Sequence, residues 1–135
     1  MTVFKNVISQ EAGKTATTSM SGADNVEIGP PEEYGGRSDT LNPEELFVAS
    51  INSCLMLVFR HFARKGDVEI ESYESTAEGT VEKTREGLRF TGVSVVARAK
   101  VSAPDKLKEL AELAEKFCLV SNSVKFPVSY VINAG

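Results

Sequence analysis

One stretch limits what this chain can become: residues 41–59, LNPEELFVASINSCLMLVF. Its start carries nearly every signal a helix can have. Asn42 suits the N-cap, Pro43 the first helical position, and Glu44 and Glu45 the positive end of the helix dipole. Glu45 stands three residues after Asn42, as a capping box requires, and Leu41 and Leu46 bracket the cap as a hydrophobic staple. From Leu46 the stretch is apolar on almost every side until Arg60, which predicts a helix surrounded by protein. It should run from Pro43 to about Lys65 and stop at Gly66, with Arg60, Arg64 and Lys65 suiting its negative end. Cys54 lies in its middle.

The remaining properties bound the problem. A chain of 135 residues is most simply one domain, 1–135, and long enough to bury a sizeable core. A formal charge of −4 with no basic cluster argues against a nucleic-acid partner. The first twenty residues lack the pattern of a signal peptide. The apolar run is broken by Ser50, Asn52 and Ser53 and is shorter than the ~20 residues that cross a bilayer, so the protein is expected in the cytoplasm with no membrane partner. Two cysteines, Cys54 and Cys118, form no CxxC pair, and with a single histidine they make no zinc pattern. In a reducing compartment they read as free thiols or a working redox pair.

Along the chain, residues 2–11 read as a strand, Lys14 to Met20 as a second after a turn at Gly13, and Val26 to Ile28 as a short third. Residues 29–40, rich in proline and glycine, form a loop that delivers Arg37 to the start of the central helix. Val68–Val81 and Leu88–Val101 form a hairpin with a turn at Thr84–Gly87. The apolar set of its second strand changes parity at Gly92, which suggests a β-bulge. A second helix covers about Ala103 to Phe117, with Leu107, Leu110, Ala111, Ala114, Phe117 and Cys118 on one face. Ser121 to Lys125 adds a short helical turn, and Phe126 to Asn133 is a last strand entered through Pro127. The fold class is α+β. Its buried helix is more than one small antiparallel sheet can cover, so a second subunit is a natural complement.

Cysteine reacts as the thiolate. Cys54 lies beyond the reach of the helix dipole, and burial would raise its pKa. As a nucleophile it therefore needs a cation, for which Arg37 is the best candidate. The residues alone favour Cys54 as a small core residue and Arg37 as a solvated loop charge. Cys118, at the C-terminal end of its helix, is disfavoured as a thiolate and suits a thiol that traps an oxidised partner.

The segment Asn42-Pro43-Glu44-Glu45-Leu46-Phe47, followed by Cys54 inside the apolar helix, resembles the first signature of the OsmC/Ohr family. Cys118-Leu119-Val120-Ser121-Asn122-Ser123 resembles its second cysteine motif, and the likeness covers about residues 35–135. Leu119 stands where the family often has proline, and the Arg37 loop is shorter than in typical members. The resemblance implies an intertwined homodimer with the two central helices at its middle. It also implies a thiol-dependent peroxidase of stress defence, acting on hydrogen peroxide and organic hydroperoxides. On this reading Cys54 is the peroxidatic thiol and Cys118 resolves it, with Arg37 and Glu44 assisting. No metal or bound cofactor is required, and the reductant would be an external dithiol or a lipoylated protein. The alternative is a non-catalytic dimer of the same fold that binds a small apolar ligand at the subunit interface.

Glu44 and Cys54 are ten residues apart, roughly 15 Å of rise on a straight helix. Either the first turn is offset or Glu44 acts near Cys54 of the partner subunit.

Overall fold

The structure, a computed structural model, describes residues 1–19 and 24–135. Among the described residues six strands and two α-helices follow one another as β1 (Val7–Ser9), β2 (Thr17–Ser19), β3 (Val26–Glu27), α1 (Pro43–Lys65), β4 (Ile70–Thr84), β5 (Gly87–Val101), α2 (Leu107–Phe117) and β6 (Val128–Ala134). The chain divides into two units, Met1–Phe47 and Val48–Gly135.

In the first unit β1, β2 and β3 form a small antiparallel sheet in that order. The strand expected over residues 2–11 shrinks to three residues, all exposed. Among the described residues Val7, Ile8 and Ser9 pair with β2, and Val3 and Phe4 stay 77% and 87% exposed. The second strand is likewise shorter than expected, and Met20, its expected end, lies outside the described residues. The proline-rich segment closes on itself. Gly29 N–H donates to the Leu41 carbonyl at 3.1 Å, Leu41 N–H donates to that of Glu27 at 3.1 Å, and Ile28 and Leu41 form a parallel bridge. The capping box is present: Glu45 N–H donates to Asn42 Oδ1 at 2.8 Å, and the Glu45 carboxylate accepts from the Asn42 side-chain amide.

α1 begins and ends where its caps predict, with one correction. Its C-terminal left-handed residue is Asp67, φ 55°, rather than Gly66. Val68 N–H reaches the Ala63 carbonyl at 2.7 Å and Asp67 N–H that of Arg64 at 3.1 Å, the pairing of a Schellman motif whose C′ residue is Asp67. α1 is long and apolar enough to cross a bilayer by length and composition. However, Ile51, Leu55, Phe59 and Ala63, spaced four apart, are wholly buried, which makes it a core helix. The expectation of cover on every side is not met within one chain. Ala49, Ser53 and Leu57 remain exposed, on a different face of the helix from the Ile51–Ala63 stripe.

β4 and β5 form the expected hairpin. Its register shifts between Thr80–Gly92 and Val81–Phe90, so Thr91 is the extra residue of a bulge beside Gly92. Past that bulge Val93, Val95, Ala97, Ala99 and Val101 are buried, and the intervening residues are exposed. β6 pairs with β5 in parallel, making the sheet mixed rather than antiparallel. The cause is the crossover through α2, which carries the chain back before β6 begins. A 3₁₀ turn at Pro104–Lys106 takes the start expected for the second helix, and another spans Ser121–Ser123. Leu107, Leu110, Ala111, Ala114 and Cys118 are buried as anticipated, but Phe117 is 52% exposed. The helix ends at Phe117, and its ring lies against Phe62 with centroids 5.3 Å apart.

Candidate functional site

The second unit brings the two thiols together. Cys54 sits on α1 one residue before the buried Leu55, so it borders the core stripe and is partly buried. Cys118 caps α2 in an extended conformation, φ −72° and ψ 106°, which turns it inward and leaves it wholly buried. Both are free thiols, and they lie near enough to each other for Cys118 to act on the ionisation of Cys54. Burial pushes the Cys54 thiol above its ordinary value and the Cys118 thiol adds to the rise; the backbone N–H groups of Val120 and Leu119 pull the other way. In this resting form the environment of Cys54 favours the thiol over the thiolate. The two N–H groups left no mark in the sequence, since any residue but proline supplies one.

Arg37 and Glu44 lie in the first unit. Arg37 donates from Nε and Nη2 to the two carboxylate oxygens of Asp39, each at 2.8 Å, and from Nη1 to Thr15 Oγ1 at 2.8 Å; Glu27 is 3.9 Å away. Hydrogen bonding and charge from Asp39 hold the guanidinium above its ordinary value, and the same pairing holds the Asp39 carboxyl below its own. Gly36, just before Arg37, donates to the Pro31 carbonyl at 3.0 Å, and a Cβ there would lie 1.7 Å from the Pro30 carbonyl oxygen. Only glycine fits at that position, so the backbone leading into Arg37 is set by sterics. Glu44, in the first turn of α1, lines an apolar cleft of about 310 Å³ with Ala16, Ile28, Pro30, Pro31 and Pro43. α1 is unbroken from Pro43 to Lys65, so its first turn is not offset.

A groove of about 480 Å³ runs between α1 and β4, with Asn52, Ser53, Met56, Leu57 and Tyr73 in its walls. The Ser53 hydroxyl donates back to the Ala49 carbonyl at 2.8 Å, so its polarity is satisfied within its own helix. Ser75 Oγ donates to Asn52 Oδ1 at 2.7 Å, tying β4 to α1.

A family model described as "OsmC-like protein" matches residues 36–133. This chain belongs to the OsmC-like family. The organic hydroperoxide resistance protein OhrB of Bacillus subtilis is 25% identical over 126 residues, 93% of each chain. Among solved structures, an OsmC-like protein of unknown function from Vibrio cholerae superposes with a TM-score of 0.86 at 24% identity, over 98% of this chain and 100% of that one. The OhrB structure itself gives a TM-score of 0.69 at 24% identity, over 98% of both chains. These likenesses establish the α+β OsmC-like fold, with its two helices and two small sheets. Within this OsmC-like chain, the Cys54–Cys118 pair sits where the central helix meets the segment after α2.

Proposed function

We propose that this protein is a cytoplasmic thiol peroxidase that reduces hydrogen peroxide and organic hydroperoxides. The observation that carries the reading is the meeting of two free thiols from distant parts of the chain, Cys54 and Cys118. The kinship with an organic hydroperoxide resistance protein supports it. The Cys54 thiolate attacks the outer peroxide oxygen; the O–O bond breaks, and the leaving alkoxide takes a proton to become an alcohol, or water from hydrogen peroxide. Cys54 is left as a sulfenic acid. The Cys118 sulfur then displaces the hydroxyl as water and forms a disulfide, which an external dithiol or a lipoylated protein reduces by exchange.

Because burial favours the Cys54 thiol over the thiolate, the cycle needs a cation. Arg37 supplies it on leaving Asp39, and Glu44 orients the guanidinium. With α1 unbroken, Glu44 serves Cys54 of the partner subunit in an intertwined homodimer. Two features support that assembly. The Ala49–Ser53–Leu57 strip of α1 is uncovered in one chain, and Val3, Phe4, Val7 and Ile8 stand exposed on the first unit. Free thiols suit a reducing compartment.

The resting state of Cys54 and the engagement of Arg37 by Asp39 also favour a second reading, a non-catalytic dimer binding a small apolar ligand at its interface. Single-turnover consumption of cumene hydroperoxide by reduced protein, with thiols counted before and after, separates the two. The peroxidase loses two thiols per chain for one peroxide, whereas the ligand-binding protein consumes none.

A further inference from the structure

Arg37 rides on a loop, and the groups that hold it belong to different pieces of the chain. Its fork partner Asp39 stands two residues away on the same loop. The third hydrogen bond, from Nη1 to Thr15 Oγ1 at 2.8 Å, crosses 22 positions of sequence to the connection between β1 and β2. Glu27 on β3 is 3.9 Å from Nη2, a longer and solvated pair. Of the five N–H donors that a guanidinium carries, three are thereby engaged.

Thr15 is the fixed member of this clasp. Just before it, Lys14 N–H donates to the Glu11 carbonyl at 3.0 Å, and the Lys14 carbonyl accepts from Gln10 Nε2 at 3.1 Å, around Gly13 at φ 78°. Just after it, the Ala16 carbonyl accepts from Ile28 N–H at 3.0 Å, and Thr17 pairs with both Ser9 and Glu27 in the middle strand of the first sheet. Backbone bonds therefore pin Thr15 from both sides, and its side chain is half-buried. Asp39 can travel with Arg37 because one loop carries both. Thr15 cannot.

We propose that Thr15 is the positioning residue that parks Arg37, its hydroxyl oxygen latching the guanidinium to the β1–β2 connection until the arginine is delivered to Cys54. This inference rests on the peroxidase reading and concerns the regulation of that same site. Parked and released arginine are two states in equilibrium, and the rate of attack on peroxide scales with the released fraction. Thr15 touches no reacting atom and acts through Arg37. A hydroxyl suits a reversible latch: a neutral acceptor holds a cation less tightly than a second carboxylate would, and water replaces the arginine when it departs.

The test uses the full chain, reduced and mixed with cumene hydroperoxide, with peroxide loss followed by stopped flow at neutral pH. Thr15→Val keeps the branched shape and removes the acceptor. It should raise the rate by roughly three- to tenfold, the weight of one hydrogen bond to a charged group at a partly exposed site. Thr15→Ser restores the hydroxyl and should return the rate to that of the wild type. In an Arg37→Ala background Thr15→Val should change nothing, whereas a merely structural Thr15 would shift the rate in both backgrounds.

A second measurement needs no peroxide. Nitrogen-15 NMR of the Arg37 side chain reads rotation of the guanidinium, which should quicken in Thr15→Val and not in Thr15→Ser. A wild-type rate in Thr15→Val, an equal change with and without Arg37, or unchanged rotation of Arg37 overturns the proposal. Activity that is lost in Arg37→Ala yet indifferent to Thr15→Val sinks the latch and leaves the peroxidase standing. Wild-type protein that consumes no peroxide sinks the peroxidase reading, and the regulatory role of Thr15 falls with it.

Discussion

Arg37 grips Asp39 through two parallel hydrogen bonds, Nε and Nη2 each 2.8 Å from a carboxylate oxygen. This fork-to-fork geometry favours arginine over lysine. In the proposed mechanism Asp39 is the competitor that Cys54 must outbid for the guanidinium. Asp39→Asn should therefore raise the stopped-flow rate of peroxide consumption several-fold. Arg37→Ala should lower it by on the order of tenfold or more at neutral pH, since a neighbouring cation moves a thiol by about 1–3 pH units. The deficit should shrink as pH rises, because burial holds Cys54 above its ordinary value and base supplies the thiolate instead. A flat pH profile in Arg37→Ala would remove Arg37 from the mechanism.

The two cysteines should separate by kinetics. Cys54→Ser should abolish turnover. Cys118→Ser should consume one equivalent of peroxide and then stall with Cys54 as a sulfenic acid, readable by dimedone labelling and mass spectrometry. Unchanged steady-state activity in both variants would end the peroxidase proposal.

Gly36→Ala should reproduce much of the Arg37→Ala defect. Its Cβ would fall 1.7 Å from the Pro30 carbonyl oxygen, and the backbone must move to admit it. Peroxide kinetics alongside thermal denaturation would show the activity loss exceeding any loss of stability.

The end of α1 offers a stability test. Asp67 occupies the left-handed C′ position at φ 55°, which suits glycine better. Asp67→Gly should stabilise the protein by up to about 1 kcal/mol. At Gly66 an added Cβ makes only ordinary contacts, the nearest at 3.5 Å to the Phe62 carbonyl oxygen. Gly66→Ala should therefore be neutral or stabilising by about 0.4–1 kcal/mol. Urea denaturation checks both, and a large loss from Gly66→Ala would contradict the helix end described above.

Burial, with Glu112 adding to it, pushes the Glu115 carboxyl above its ordinary value. A carboxyl raised on folding contributes stability below its unfolded pKa, and that contribution is lost as pH rises through the folded one. Glu115→Gln should thus stabilise at pH 7, by about a few tenths of a kcal/mol at so exposed a site. The gain should vanish as pH falls below the ordinary carboxylate range. Denaturation curves at pH 7 and in acid give the comparison.

Which parts of this protein were readable in advance follows from the range of the forces involved. α1 starts at Pro43 as expected because Asn42, Pro43 and Glu45 act on their own backbone, within one turn. The bulge at Thr91 was visible because a parity change is a local record of which side chains face inward. Phe117 misled. Helical spacing put it on the buried stripe, but the helix ends there, and Cys118, not Phe117, turns inward. The first strand misled too: strand propensity carried it back to Val3 and Phe4, whereas the strand described spans Val7–Ser9.

By itself the sequence determined the two helices, the hairpin and the presence of two thiols, all through contacts between near neighbours in the chain. Only the tertiary structure decided that β6 returns in parallel, that Cys54 lies near Cys118, and that Tyr73 and Tyr130, on the strands either side of β5, join hydroxyls. Each of these depends on where a crossover sets down a distant segment. That placement follows from burying whole faces of sheet and helix together, a sum over the chain that no short stretch of residues records.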